Sequence, residues 1–169
     1  MTNNVVYGCF VGTGGAFLPN FNSQMRPYPP IENDEGFIAL GWGDVGTMLM
    51  YEKNYSLFES QFFKAFPTCK AIQAGEVWKF AFEAKIGDWV ICPSSATKHM
   101  LIGEIISEYL TDFDGEFGFS NYRHLRKVRW IYSFPENDTR YSQLNNIGML
   151  AFSNSRFSID QVKAICETK

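Results

Sequence analysis

The residues best able to do chemistry in this chain cluster in three places. Arg123, Arg126, Lys127 and Arg129 fall within seven positions of a chain whose net charge is −3, and His124 sits among them. Cations spaced this closely suit phosphates, which supply most of the affinity in nucleic-acid complexes. A solvated strand face would have the same composition. Trp42 stands between Gly41 and Gly43, with Asp44 behind it. Flanking glycines let a flat ligand approach the indole closely, and Asp44 could read its polar edge. A core or lid tryptophan is the plainer alternative. Between Tyr109 and Tyr122 the run YLTDFDGEFGFSNY carries Phe113, Phe117 and Phe119, with no period that would bury every ring. Surface aromatics mark binding sites and suit base stacking, worth roughly 1–3 kcal/mol per base, although some of these rings could plug a core.

Catalytic patterns are thin by comparison. Glu83-Ala-Lys85 spells half of a nuclease metal site, but it falls at an expected helix end and no partner aspartate is evident. Gly12-Thr-Gly-Gly15 lacks the helix and lysine of a phosphate-binding loop. Ser94-Ser95 has no glycine elbow around it. Only His99 and His124 are available, and Cys9, Cys69, Cys92 and Cys166 are scattered without metal-ligand spacing. Reduced, mostly buried thiols are expected, and no metal or cofactor.

The elements that must position these groups follow from the hydrophobic pattern. VVYGCFV at 5–11 and GFIALGWG at 36–43 are glycine-closed strands, separated by a proline-rich surface loop over 18–35. In 55–66 the spacing of Phe58, Phe62 and Phe66 predicts a helix with an aromatic stripe, stopped by Pro67. A second helix is expected over 70–84, with Ile72, Trp78, Ala81 and Phe82 as candidate buried positions and Gly75 weakening its first turn. Strands follow at 88–93, 100–109 and 125–134, the first two joined as a hairpin. Ser158 and Gln161 form a capping box before a last helix over 159–167.

At 169 residues and 19.3 kDa the chain fits one domain, 1–169, large enough for a real core. Strands flanking a helical middle make it α+β, built on a mostly antiparallel sheet or small barrel. The charge balance argues against nonspecific coating of nucleic acid without excluding a local basic face. The first 25 residues carry no basic region ahead of an apolar run. No signal peptide or membrane span is expected, and the protein reads as cytoplasmic.

The order GFIALGWGDVG, VWKFAFEAKIGDWVICPS, HMLIGEIISEY and YRHLRKVRWIY, over about residues 36–134, resembles the PUA-like superfamily. Within it the sequence is most similar to the EVE and YTH-like branch, as in the N-terminal domain of predicted Mrr-type and other modification-dependent restriction enzymes. A YTH-like trailing segment from Arg140 to Ile147 extends the likeness. The resemblance implies a small β-barrel with helices packed around it and an aromatic pocket for a flipped, methylated base. By position Trp42 resembles the cage tryptophan, Phe113, Phe117, Phe119 and Tyr122 the loop walls, and Ser94 and Ser95 a pocket-lining loop. That loop contains no tryptophan here, which implies a differently shaped pocket.

The resulting expectation is a non-catalytic module that captures a modified base, of DNA rather than RNA, as the reader part of a restriction or defence system. Any nuclease would be another domain or subunit. Trp42, Asp44, Ser94, Ser95, Tyr109, Phe113, Phe117, Phe119, Asn121 and Tyr122 would bind the base, and Arg123, Arg126, Lys127 and Arg129 the phosphates. The competing expectation is a protein-interaction or small-ligand module on the same barrel.

Overall fold

The computed structural model describes residues 3–9, 35–94, 98–113, 122–145 and 151–168. Over these residues the fold is mixed α+β: a curled, half-barrel sheet of seven strands with helices packed on both faces. The strands are β1 (Val6–Gly8), β2 (Glu35–Leu40), β3 (Trp89–Ser94), β4 (His99–Ile105), β5 (Leu110–Thr111), β6 (His124–Pro135) and β7 (Ser153–Asn154). The helices are α1 (Tyr55–Ala65), α2 (Ala71–Trp78), α3 (Thr139–Leu144) and α4 (Ile159–Cys166). The sheet order is β2-β6-β4-β3-β1-β7, with β5 also paired to β6. Only β1 and β3 run parallel among the described strands. None of the described helices is long and apolar enough to cross a membrane.

Alternation along the strands splits the core in two. Ile38, Val90, Leu101, Val128 and Trp130 face α1 and α2, where Phe58, Phe62, Ala74 and Val77 are fully buried. Ile91, Met100, Ile102 and Phe134 face the other way, against Leu144 of α3 and Val162 of α4. Gly103, at a β-bulge, admits the Trp130 ring: a Cβ there would stand 2.9 Å from the indole. The cysteines are free thiols, Cys9, Cys92 and Cys166 buried and Cys69 half-buried.

Most expected elements are present, with local departures. In α1 the aromatic stripe is core-facing, and the Asn54 side chain caps the helix by accepting from Leu57 N at 3.1 Å. The Ser158–Gln161 capping box opens α4 as expected. The expected helix over 70–84 instead becomes a π-helical turn at Lys79–Glu83, closed by the Ala84 N–H on the Lys79 carbonyl at 2.9 Å. The wider turn rotates Phe80 and Ala81 into the core, while Ile72, expected to be buried, is 54% exposed. The strand expected over 100–109 stops at Ile105 and resumes as β5. Between them the Ser107 hydroxyl takes the place of a ladder partner, accepting from Lys127 N at 2.8 Å. The glycine segment 12–15 and the 18–35 loop lie outside the described residues, apart from Glu35, which opens β2.

Asp88 pins the start of β1 beside β3. Its carboxylate accepts from Val5 N at 3.0 Å, Lys85 N at 2.9 Å and the Asn4 amide at 3.1 Å. Gly87, at φ +96°, makes the turn that aims it just ahead of β3.

Arg126 occupies the centre of this arrangement. It is 1% exposed, and its guanidinium donates to four carbonyls. Nε reaches Phe80 O at 3.0 Å, Nη2 reaches Ala81 O at 2.9 Å and Ala84 O at 2.6 Å, and Nη1 reaches Ser107 O at 3.2 Å. Two of these belong to the π turn and a third to Ala84, which caps it; carbonyls at a helix end have no helical partner and carry the negative end of the helix dipole. Removing the guanidinium strands them, at about 1–3 kcal/mol for each buried acceptor left unpaired. Arg126→Met should therefore lower the urea-unfolding free energy by at least about 3 kcal/mol, and Arg126→Lys by less. A loss of under about 1 kcal/mol for the methionine variant would refute this capping role.

Candidate functional site

β2 ends at Leu40, three residues before the expected boundary, because Trp42 turns the chain into the left-handed region at φ 61°, ψ 34°. For a non-glycine residue that conformation costs roughly 1–2 kcal/mol. A short 3-10 turn, Gly43–Val45, follows directly.

A buried chain of hydrogen bonds holds the turn. Met48 N–H donates to the Tyr109 hydroxyl at 3.2 Å, that hydroxyl lies 2.5 Å from Nδ1 of His124, and Nε2 of His124 lies 3.2 Å from the Trp42 carbonyl. A carbonyl can only accept, so Nε2 carries the proton and Nδ1 accepts from the tyrosine. His124 is fully buried, and burial pulls its pKa down to about 4, leaving it neutral at pH 7. Burial likewise pushes the Tyr109 phenol up to about 12, so it stays a donor. The Trp42 ring packs on Phe62, with centroids 6.4 Å apart, and remains half-exposed.

Arg123 closes the other side of the turn. A Cβ on Gly43 would stand 2.4 Å from its Cγ, so that glycine makes room for the arginine stem rather than for a ligand. Beside Gly41, by contrast, the space is open. The Arg123 guanidinium donates to Asp112 O at 2.7 Å and lies 5.9 Å from the centroid of the Phe113 ring, which is 40% exposed. Asp44, on the 3-10 turn, is exposed. Trp42, Asp44, Phe113 and Arg123 thus gather at the β2/β6 end of the sheet.

Other residues expected at the site are placed differently. Tyr109 is buried and supports the turn from below instead of lining a surface. Tyr122 packs with Phe37, Ala39, Leu110 and Leu125. Ser94 pairs with His99, which pairs with Pro135, whereas Leu40 pairs with His124. Eleven residues of β6 separate those two ends, roughly 35 Å at the rise of an extended strand. The register therefore sets Ser94 and Trp42 at opposite ends of β6. Ser95, Phe117, Phe119 and Asn121 lie outside the described residues.

The basic cluster is dispersed by strand alternation. Arg126 points inward and is consumed by carbonyls, so it reaches no phosphate. Arg129 is held by Glu104 at 2.6 Å across the β4–β6 pair. Lys127 and Arg123 remain half-buried at the surface. Glu83 sits on the π turn and pairs with Lys79, so the Glu83-Ala-Lys85 pattern lies off any strand. Among the described residues no group of three or more His, Cys, Asp or Glu could hold a metal.

Fold and site together define a mixed α+β module that presents a constrained aromatic turn at one end of a curled sheet. Residues 31–153 match a family described as domain of unknown function DUF8426, and the chain belongs to that family. No curated protein and no solved structure matched it.

The Tyr109–His124 chain is the part of the site that residue types alone do not reveal; the available signal was one histidine opening a strand among three arginines and a lysine. Its titration gives a sign. The ordinary histidine pKa of 6.5 exceeds the folded value of about 4, so below pH 6.5 the unfolded chain binds a proton that the folded chain refuses. The contribution to stability is complete above about pH 6.5 and lost as the pH falls through 4, by roughly 3 kcal/mol in all. In urea titrations between pH 6.5 and 5, ahead of most carboxylates, His124→Phe should remove this slope while lowering stability at pH 7.

Proposed function

We propose that the chain is a non-catalytic module that captures an unstacked nucleic-acid base against Trp42, on a fold of the PUA-like, EVE and YTH-like kind. One observation carries this reading: a half-exposed tryptophan is held in a left-handed turn by a buried chain of hydrogen bonds ending on its carbonyl. Strain of this sort persists where the surroundings over-determine it, and it clusters at functional sites. The exposed Phe113 ring offers a second stacking face, Asp44 a polar edge, and Arg123 and Lys127 two cations for the flanking phosphates. The curled sheet with helices on both faces is compatible with a PUA-like barrel. A methylated base, DNA rather than RNA, and a reader's place beside a nuclease in a restriction or defence system rest on the sequence resemblance alone.

The burial of Arg126 and the Arg129–Glu104 pair favour a second reading, a small-ligand or protein-interaction module, because they leave fewer cations for phosphates.

The two readings separate in a binding panel of single-stranded and duplex oligonucleotides, with and without N6-methyladenine or 5-substituted cytosine. On the first reading Trp42→Ala weakens binding by roughly 5- to 150-fold, the loss of one stacked base, and removes any preference for the modified strand. Arg123→Ala and Lys127→Ala weaken modified and plain strands alike, each lowering the slope of log affinity against log salt by about one. Equal affinity of the unaltered protein and Trp42→Ala for every oligonucleotide would exclude base capture.

A further inference from the structure

A second candidate site lies away from Trp42, at the far end of α1. A cavity of about 420 Å³ opens between α1, α2 and β7, within the range of small-molecule sites. Two of its walls are the Tyr55 and Trp78 rings, whose centroids are 5.0 Å apart and whose planes meet at 85°. Phe152, fully buried, forms another wall.

The charges around this cavity are unbalanced. Glu76 lines it while only 4% exposed, its carboxylate accepting from Ala151 N at 3.0 Å and from Phe152 N. Among the described residues it forms no ion pair with a lysine or arginine. Burial raises its pKa above the ordinary carboxylate value, against the pull of those two amides, so a cation entering the cavity would favour the ionised form. Glu83 stands at the mouth, and the one lysine there, Lys79, is taken up by Glu83 at 3.6 Å and by the Asn154 side chain.

Gly75 is the remaining clue. It sits inside α2, where glycine weakens a helix, yet a Cβ at that position would meet nothing within 4 Å. No packing constraint requires a glycine there. Its effect is to leave the cavity open.

We propose that this cavity binds a substituted ammonium group, with Tyr55 and Trp78 as two perpendicular aromatic walls and Glu76 supplying the opposing charge. Ring faces attract such cations through their quadrupole, and alkyl substituents reduce the cost of leaving water. The cation could be a free quaternary amine or a methylated lysine in a peptide; both present the same group. The inference does not depend on base capture at Trp42.

Calorimetric titration of the full chain with choline, with a trimethyl-lysine peptide and with 3,3-dimethylbutanol, the neutral isostere of choline, tests it. Saturable millimolar or tighter binding of either cation, at least tenfold better than the isostere, is expected. Preference for choline identifies a free amine, and preference for the peptide a protein-borne lysine; either supports the site. Glu76→Gln keeps an acceptor for the Ala151 and Phe152 amides and should weaken the cation at least tenfold. Gly75→Leu should block binding while the melting temperature holds or rises, so lost binding is not confused with unfolding. Absence of binding by both cations, equal binding of the isostere, or binding that survives both substitutions would overturn the proposal.

Discussion

One guanidinium joins the elements that make up this fold. Arg126 leaves β6 near its start, at the third of its twelve residues, crosses the interior, and donates to three carbonyls at the end of the α2 extension and one where β4 breaks away from β6. A full charge is tolerated there because each of the three nitrogens meets an acceptor and the helix end supplies the negative pole. Its geometry fixes what surrounds it. The π turn is needed to aim the Phe80, Ala81 and Ala84 carbonyls at one group, and the gap between β4 and β5 exposes the Ser107 carbonyl to the same group. With β6 anchored at 126, alternation carries His124 to the same interior side, where it meets Tyr109 and the Trp42 carbonyl. The aromatic turn thus depends, two residues away, on the buried cation.

Alternation also explains how far the sequence was informative. The Phe58, Phe62 and Phe66 stripe and the Ser158–Gln161 cap are local signals, and each forms where its spacing indicates. Clustering of charge in sequence is a poorer guide, because neighbours on a strand point to opposite faces. Arg123, Arg126, Lys127 and Arg129 read as one patch, yet one of them is interior and another is tied to Glu104. Tyr109 and Ser94 were misplaced for a related reason. Whether a ring supports a turn or lines a pocket, and which end of a twelve-residue strand a hairpin reaches, are set by pairing register, which no short motif carries. Glu76 did leave a trace, as a lone carboxylate inside the run AIQAGEVWKFAF, whose other acidic member, if the run is extended by one residue, is Glu83.

The two candidate sites use aromatic rings under different constraints. At Trp42 the backbone is strained and the ring is aimed by polar groups beneath it, a rigid presentation that suits stacking on a flat partner. At Tyr55 and Trp78 the rings rest on α1 and α2 and pack against Phe58 and Phe82, so the space between helices, with a glycine left open, defines the cavity. A shared route through α1 links them, since Phe62 touches Trp42 and Phe58 touches both Tyr55 and Trp78.

The charge distribution bears on which nucleic acid the proposed base capture could serve. Within the basic cluster beside Trp42, Arg123 and Lys127 offer about two phosphate contacts, where strongly salt-dependent binders make 6–10. Extruding a base from a duplex costs a few kcal/mol, and one stacked ring returns roughly 1–3. With so few phosphate contacts to offset the difference, an intact duplex is a poor partner. The balance is favourable for a base already unpaired, in a single strand, a bulge or a mismatch, where the unstacking cost is least. On an acidic chain with an inward-facing arginine, the reading through Trp42 therefore points to single-stranded or locally opened nucleic acid, with selectivity carried by the ring and its neighbours rather than by the phosphate backbone.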